Sequence, residues 1–421
     1  MLSGYRSCKF KGVKRNDTAI DQDLALYGIA QVIVSYTAHD LGAKREAMGA
    51  VEKCFTSSTM SQMSALALAD GKPSPPKVIH FRHLGVSLGT VDPTGLQALR
   101  AESRVADIFA TPVLSLIRPV KKMDASLADV AGELTWGLQL LQVKRVWDAG
   151  FTGQGVSVGH LDTGIDGTHP ALARALAHYA VFDDLGQEEN PVPDPPQDTG
   201  QHGTHTACTI AGRPVNGKYA GVAPDAQLVS GTVIERGNTV ARVLGGMDWV
   251  IANQVRVLSM SLGIRGYVDS WLGITRSLRA QNVLPVFAVG NEGPGTSRSP
   301  GNYAEAFAVG AIDKNRGIWE FSSSQEFARQ ENPSVPDVVA PGVDVLSAKP
   351  GGGWQLMSGS SMATPHVAGL AALLFSAKPS ATIDDVQNAI AQSCQGVPPL
   401  ARGRAGRGFP DAWRALAILK G

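Results

Sequence analysis

Excess charge, clustered cysteine and long apolar runs are all missing from this chain. Lys and Arg number 38 against 37 Asp and Glu, a formal net charge of +1. Nothing in that balance recruits nucleic acid or an acidic membrane surface, so neither is expected as a partner. Cysteine occurs only as Cys8, Cys54, Cys208 and Cys394. That scatter fits no metal-ligand spacing, and Cys208 reads as a small packed hydrophobe. No stretch reaches the roughly 18 apolar residues of a membrane helix. Met1 to Arg15 has basic residues but no apolar core of about 7 or more, so it does not read as a secretory signal. The expected location is cytoplasmic, or secreted if a signal was trimmed from the chain.

What is present in quantity is glycine and hydrophobic residue: 47 glycines and 43% hydrophobic content in 421 residues. Such a composition suits a globular, loop-rich α/β protein of one large or two ordinary domains, not a disordered or fibrous one. Residues 1–27 show no clear period and read as an N-terminal extension. Over 28–118 strands are expected at 29–36, 78–86 and 105–109, with helices at 41–55 and 93–102 and a loop insertion at 57–77. Together they make a small α+β domain, ferredoxin-like in outline. Residues 119–133, with Lys121, Lys122, Asp124, Asp129 and Glu133, read as a polar and cleavable linker. From 134 to 421 apolar runs at 156–161, 227–233, 255–260, 283–289 and 306–312 alternate with helix signals. Buried parallel strands look like this, and the fold class expected is a doubly wound, mostly parallel α/β sheet.

Functional groups in such sheets gather beyond the carboxyl ends of strands. Asp162 follows one strand in Asp162-Thr163-Gly164-Ile165-Asp166. Asn291 follows another in Gly290-Asn291-Glu292-Gly293, and Ser261-Leu262-Gly263 follows a third. His202-Gly203-Thr204-His205 opens an apolar helix. Ser361 lies in the turn Gly359-Ser360-Ser361-Met362-Ala363-Thr364-Pro365-His366, before an apolar helix expected over 367–375. A serine at that place meets free N–H groups and a positive helix end, which favours a reaction that develops an oxyanion. Alone it would be a helix cap. A serine hydroxyl also needs a base, and the base needs a third group to hold its tautomer. The order D-T-G-I-D, H-G-T-H, G-S-S-M-A-T-P-H-V-A-G resembles the motif set of subtilisin-type serine proteases.

That resemblance implies a serine endopeptidase acting on protein or peptide substrates, with Ser361 as nucleophile, His202 as base, Asp162 as its partner and Asn291 as oxyanion donor. His205, His366 and Asp166 then read as packing or structural residues. Substrate would add as a strand between Ser261-Leu262-Gly263 and a stretch near Gly231. Arg298 falls near the floor of the primary pocket. It would either attract an acidic side chain or pair with Glu292 and leave an apolar preference. No cofactor is required. Ala171 and Val215 stand where many secreted members place calcium-binding side chains, so that site is expected to be absent, and the acidic loop 183–194 reads as solvated charge. The 28–118 domain resembles a propeptide, chiefly through Gly95–Arg100 and Val105–Phe109. It would act as an intramolecular inhibitor of a self-processing zymogen. Rival readings are a protease held permanently inhibited, a silent binding protein that keeps the fold, and a serine-carboxyl peptidase, against which His202 argues.

Overall fold

The computed structural model describes residues 18–37, 40–56, 76–234, 237–397 and 402–421. The chain divides into two compact units between Thr111 and Pro112. In the first, α1 (Thr18–Tyr27) is followed by β1 (Ala30–Tyr36), α2 (Leu41–Val51), β2 (Val78–Phe81), β3 (Val86–Val91), α3 (Pro93–Ala101) and β4 (Val105–Ala110). The strands form an antiparallel sheet in the order β2-β3-β1-β4. A β-α-β-β-α-β circuit of this kind is ferredoxin-like. Asp40 and Asp92 begin α2 and α3 by accepting from the Ala43 and Gly95 N–H groups.

Two expectations change here. The strand expected at 78–86 is the first half of a hairpin. Leu84 is buried within the turn and prolongs the apolar alternation, while Gly85 at φ +74° reverses the chain. The N-terminal extension carries a helix, and Ile20 of α1 enters the core of this unit. The expected loop insertion at 57–77 lies mostly outside the described residues.

The second unit takes in residues 112–118, assigned above to the N-terminal domain, and the expected linker. It starts with β5 (Ser115–Leu116) and β6 (Lys121–Ala125), then short helices α4 (Trp136–Leu140) and α5 (Val143–Asp148). There follow β7 (Ser157–Asp162), β8 (Leu176–Val181), α6 (His202–Ala211), β9 (Gln227–Thr232), α7 (Thr239–Ala252), β10 (Val257–Met260), β11 (Leu262–Arg265), α8 (Leu272–Ala280), β12 (Leu284–Ala288) and β13 (Arg298–Ser299). The remainder holds β14 (Phe307–Ile312), a short ribbon β15 (Gln325–Glu326) and β16 (Ser334–Val335), β17 (Val338–Pro341), β18 (Val345–Lys349), β19 (Gly353–Ser358), α9 (Ser360–Ala377) and α10 (Ile383–Ser393).

Seven strands pair in the order β17-β14-β12-β10-β7-β9-β8, every pair parallel. The expected runs are all in it; β8 and β17 are the additional edges. Alternate residues of β7 face opposite layers. Val158 joins the apolar cluster built with α6 and α9, whereas a Cβ at Gly159 would meet Val250 of α7. Both faces are therefore covered by helices, and the sheet is doubly wound. Strand order reverses between β7 and β10, so the end of β7 lies at the switch point where such sheets place their ligands. Among the described residues no helix is long and apolar enough to cross a membrane.

Candidate active site

β7 ends on Asp162 and α6 begins on His202. The helix start is held by Asp198, which was not singled out in the sequence. One of its oxygens accepts from the N–H groups of Gly200 and Gln201 and from the Thr163 hydroxyl; the other accepts from the Thr204 N–H and hydroxyl. An Asp just ahead of a helix start was the available signal. Thr163 in turn accepts from the Gly203 N–H. A Cβ on Gly203 would lie 2.0 Å from the Gly164 carbonyl oxygen, so only glycine lets α6 approach the turn after β7 this closely.

These contacts bring His202 Nδ1 to 2.7 and 2.9 Å from the Asp162 carboxylate oxygens. Both side chains are buried. Burial alone would push the Asp162 carboxyl up. The His202 charge and the hydrogen bonds from His202 and the Thr163 N–H outweigh it and hold it below the usual aspartate range. With Nδ1 donating to Asp162, Nε2 is the accepting nitrogen, and it is buried without a hydrogen-bond partner.

Ser361 is the second residue of α9, which starts at Ser360 and not at the expected Val367. Pro365 lies inside this helix and cannot donate to the Ser361 carbonyl one turn back. The Ser261 hydroxyl does so instead, at 3.3 Å, so the stretch before β11 secures the backbone of Ser361. Asn291 Oδ1 accepts from the Ser360 N–H and hydroxyl, both at 2.8 Å. That pairing turns the Asn291 amide N–H toward the cleft.

The cleft is filled by the chain itself. β5 lies antiparallel on β11, with Leu116 opposite Leu262 and Ser115 opposite Gly263, and Ile117 N–H donates to the Ser261 carbonyl. Beyond Pro119, the Val120 N–H donates to the Ser358 carbonyl and β6 runs antiparallel to β19. Between these anchors the Ser361 hydroxyl donates to the Ile117 carbonyl at 2.6 Å, while Asn291 Nδ2 donates to the Arg118 carbonyl at 2.9 Å. Ser361, Asn291, Ser261, Leu262 and Gly263 thus all bond to or pair with one stretch of backbone. The resemblance implied that the N-terminal domain, 28–118, blocks the cleft, but it did not single out residues 115–118 as the occupant. Its trace was the apolar run Leu114–Ile117 ahead of Pro119.

Other candidates sit elsewhere or act otherwise. Gly231 is in β9, paired with Leu161 on one side and Ala180 on the other, so it offers no free edge to a substrate strand. Arg298 is 5% exposed and its guanidinium pairs with Glu292. The same group donates to the Ser115 hydroxyl at 2.8 Å. Its charge is already compensated, which removes the reason for an acidic preference. Asp166 binds the Thr168 and Gly351 N–H groups, while His205 and His366 are buried on the carbonyls of Val345 and Met362. Asp124 lies on β6 in an ion pair with Lys349, in a strand and not in a loose linker. Among the described residues no group of His, Cys, Asp or Glu gathers that would hold a metal ion.

Residues 153–408 match the Subtilase family. The M-protease of Shouchella clausii (strain KSM-K16) is 36% identical over 278 residues, 65% of this chain and 68% of that protein. Subtilisin E of Bacillus subtilis (strain 168) is 30% identical over 315 residues, 73% and 75% of the two chains. An intracellular serine protease of Paenibacillus polymyxa is 37% identical over 249 residues, 58% and 73%. The match to an alkaline protease of Alkalihalobacillus alcalophilus spans 66% of that protein's length.

Proposed function

This chain belongs to the subtilase family and is a serine endopeptidase, and from that premise we propose that it is made latent by its own segment 115–120, seated one residue out of frame. Ser361 attacks the carbonyl carbon of a peptide added along β11. His202 Nε2 takes the hydroxyl proton and returns it to the leaving amine. Asp162 holds the Nδ1–H tautomer, and the Asn291 amide receives the developing oxyanion. Peptide main chain is the substrate class, because strand addition reads backbone.

The observation that carries latency is that Ser361 and Asn291 address successive carbonyls. Attack requires one carbonyl to meet both groups. Here the Ser361 hydroxyl donates to the Ile117 oxygen, which leaves His202 Nε2 without its proton donor. Both flanks are strand-paired, so the extra residue between them cannot be drawn out without breaking β5 or β6. The N-terminal unit is, in this reading, the propeptide that precedes the blocking segment.

Deleting Pro119 should remove the extra residue and turn the segment into substrate. Mass measurement should then find the chain cut between Ile117 and Arg118, with fluorophosphonate labelling of Ser361 rising in step. The same deletion with Ser361→Ala should stay intact. A deletion chain that stays whole and unlabelled would refute the frame argument. Full-length wild type separates the two forms of latency: slow cutting and labelling indicate a zymogen, none at any time a permanently inhibited protease.

A further inference from the structure

Two residues before Asp162 on the same strand, His160 is 1% exposed and takes part in no step above. Side chains alternate along a strand, so His160 and Asp162 face the same layer, and α6 crosses them. His202 of that helix meets Asp162, and Thr206, one turn on, meets His160. His160 Nε2 lies 2.9 Å from Thr206 Oγ1, and Nδ1 lies 2.9 Å from Ser230 Oγ on β9. Thr206 Oγ1 is also 3.4 Å from Asp162 Oδ2 and 3.1 Å from the His202 and Gly203 carbonyls.

Counting protons orients this chain of contacts. Burial holds His160 below the ordinary histidine range, against the carboxylates of Asp162 and Asp198, so the ring is neutral and carries one N–H. An N–H on Nδ1 would donate to Ser230, whose own proton then lacks an acceptor, and would draw the Thr206 proton to Nε2. An N–H on Nε2 satisfies every group. Ser230 donates to Nδ1, Nε2 donates to Thr206, and the Thr206 proton is left for Asp162 or the helix carbonyls. The carbonyls are nearer, but the carboxylate charge strengthens the longer bond.

We propose that His160 is a positioning residue of the triad, directing the Thr206 hydroxyl onto Asp162 Oδ2. The inference rests on the reading of Asp162 and His202 as the catalytic pair. The groups facing His160 are Asp162 on its own strand, His202 and Thr206 on α6, Asp198 in the loop before α6, and Ser230 on β9. A donor on Oδ2 fixes the carboxylate plane and spreads its charge. Without it Asp162 holds a protonated His202 more strongly, so the base is lost at higher pH.

Full-length wild type, His160→Val, Thr206→Val, the double variant and His160→Gln would be compared at equal numbers of fluorophosphonate-titrated Ser361 sites. His160→Val should lower kcat about 3- to 10-fold, the worth of one hydrogen bond. KM should be unchanged, and the acid limb of kcat/KM should rise by about half a pH unit. Thr206→Val should do the same, and the second substitution should add little to the first. His160→Gln, which keeps a donor toward Thr206, should restore both readouts. If His160→Val does not fold, the limb shift in Thr206→Val and its absence in His160→Gln decide. Active wild type with unchanged limbs in the variants, or additive losses in the double variant, overturns this inference alone. Where wild type neither labels nor hydrolyses, the same variants are compared in the chain lacking Pro119; silence there as well overturns the latency and peptidase readings and this inference together.

Discussion

Two buried histidines and one buried aspartate weigh heavily in how this fold responds to acid. Burial pushes His205 down to about 3 and His366 to about 4, whereas in the unfolded chain each titrates near 6.5. Their contribution is therefore complete above the unfolded value and is lost as pH falls. Burial pushes Asp337 up to about 6, against about 4 unfolded, so its contribution runs the other way and grows on acidification. Between about pH 6 and 4 these three groups together take up two protons and release one on unfolding, and the depressed His80, His160 and His169 add further uptake. Stability should therefore fall by at least about 1.4 kcal/mol per pH unit of acidification. Asp337→Asn removes the opposing proton and should steepen that slope by about 1.4 kcal/mol per pH unit. Denaturant titrations across pH 7 to 4 read it directly; stability that is flat or rising on acidification contradicts the assignment.

At the scale of elements, His202 is placed by how closely α6 seats against the turn after β7. Gly203→Ala meets main-chain atoms, which have nowhere to move, so the helix start must shift. The expected cost is about 2–3 kcal/mol of overpacking. The rate of Ser361 labelling should drop about 100-fold, as misplacement by an ångström does. Gly49→Ala on α2, where nothing lies within 4 Å, is the control that should leave labelling unchanged and cost no stability. Elements of this unit were legible where their signals are local. The apolar strands announce themselves, and Asp162, His202, Asn291 and Ser361 stand at strand ends and helix starts that turn chemistry marks. Long-range compensation was not legible. The helix expected from Val367 begins at Ser360, and the Ser261 hydroxyl that replaces the hydrogen bond Pro365 cannot make comes from the distant stretch before β11. Leu114–Ile117 looked like the end of an N-terminal domain because nothing within the run names β11 as its partner. Arg298 and Glu292 were weighed as a pair, but only the fold shows Ser115 beside them.

At the scale of the whole peptidase unit, Arg213 stands near the place where the resemblance would put calcium. Its N–H donates to the Ala171 carbonyl, and its guanidinium donates to the carbonyls of Arg174, Ala211, Pro224 and Ala226. A fixed cation here gathers main-chain oxygens from segments far apart in sequence. Arg213→Met should strand those carbonyls and cost about 3 kcal/mol or more, whereas chelator should leave the Tm of wild type unchanged. A large chelator effect on wild type would reveal a metal site beyond these residues. The strands that grip residues 115–125 from both sides carry a different kind of consequence. Because the latency proposed above depends on a count of residues between two anchors, most point substitutions there would alter its strength but not its nature. Loss of a single codon is another matter. On that proposal one replication slip would convert a silent enzyme into a constitutively active one, so selection against unchecked proteolysis should act on the length of this stretch more strictly than on its composition.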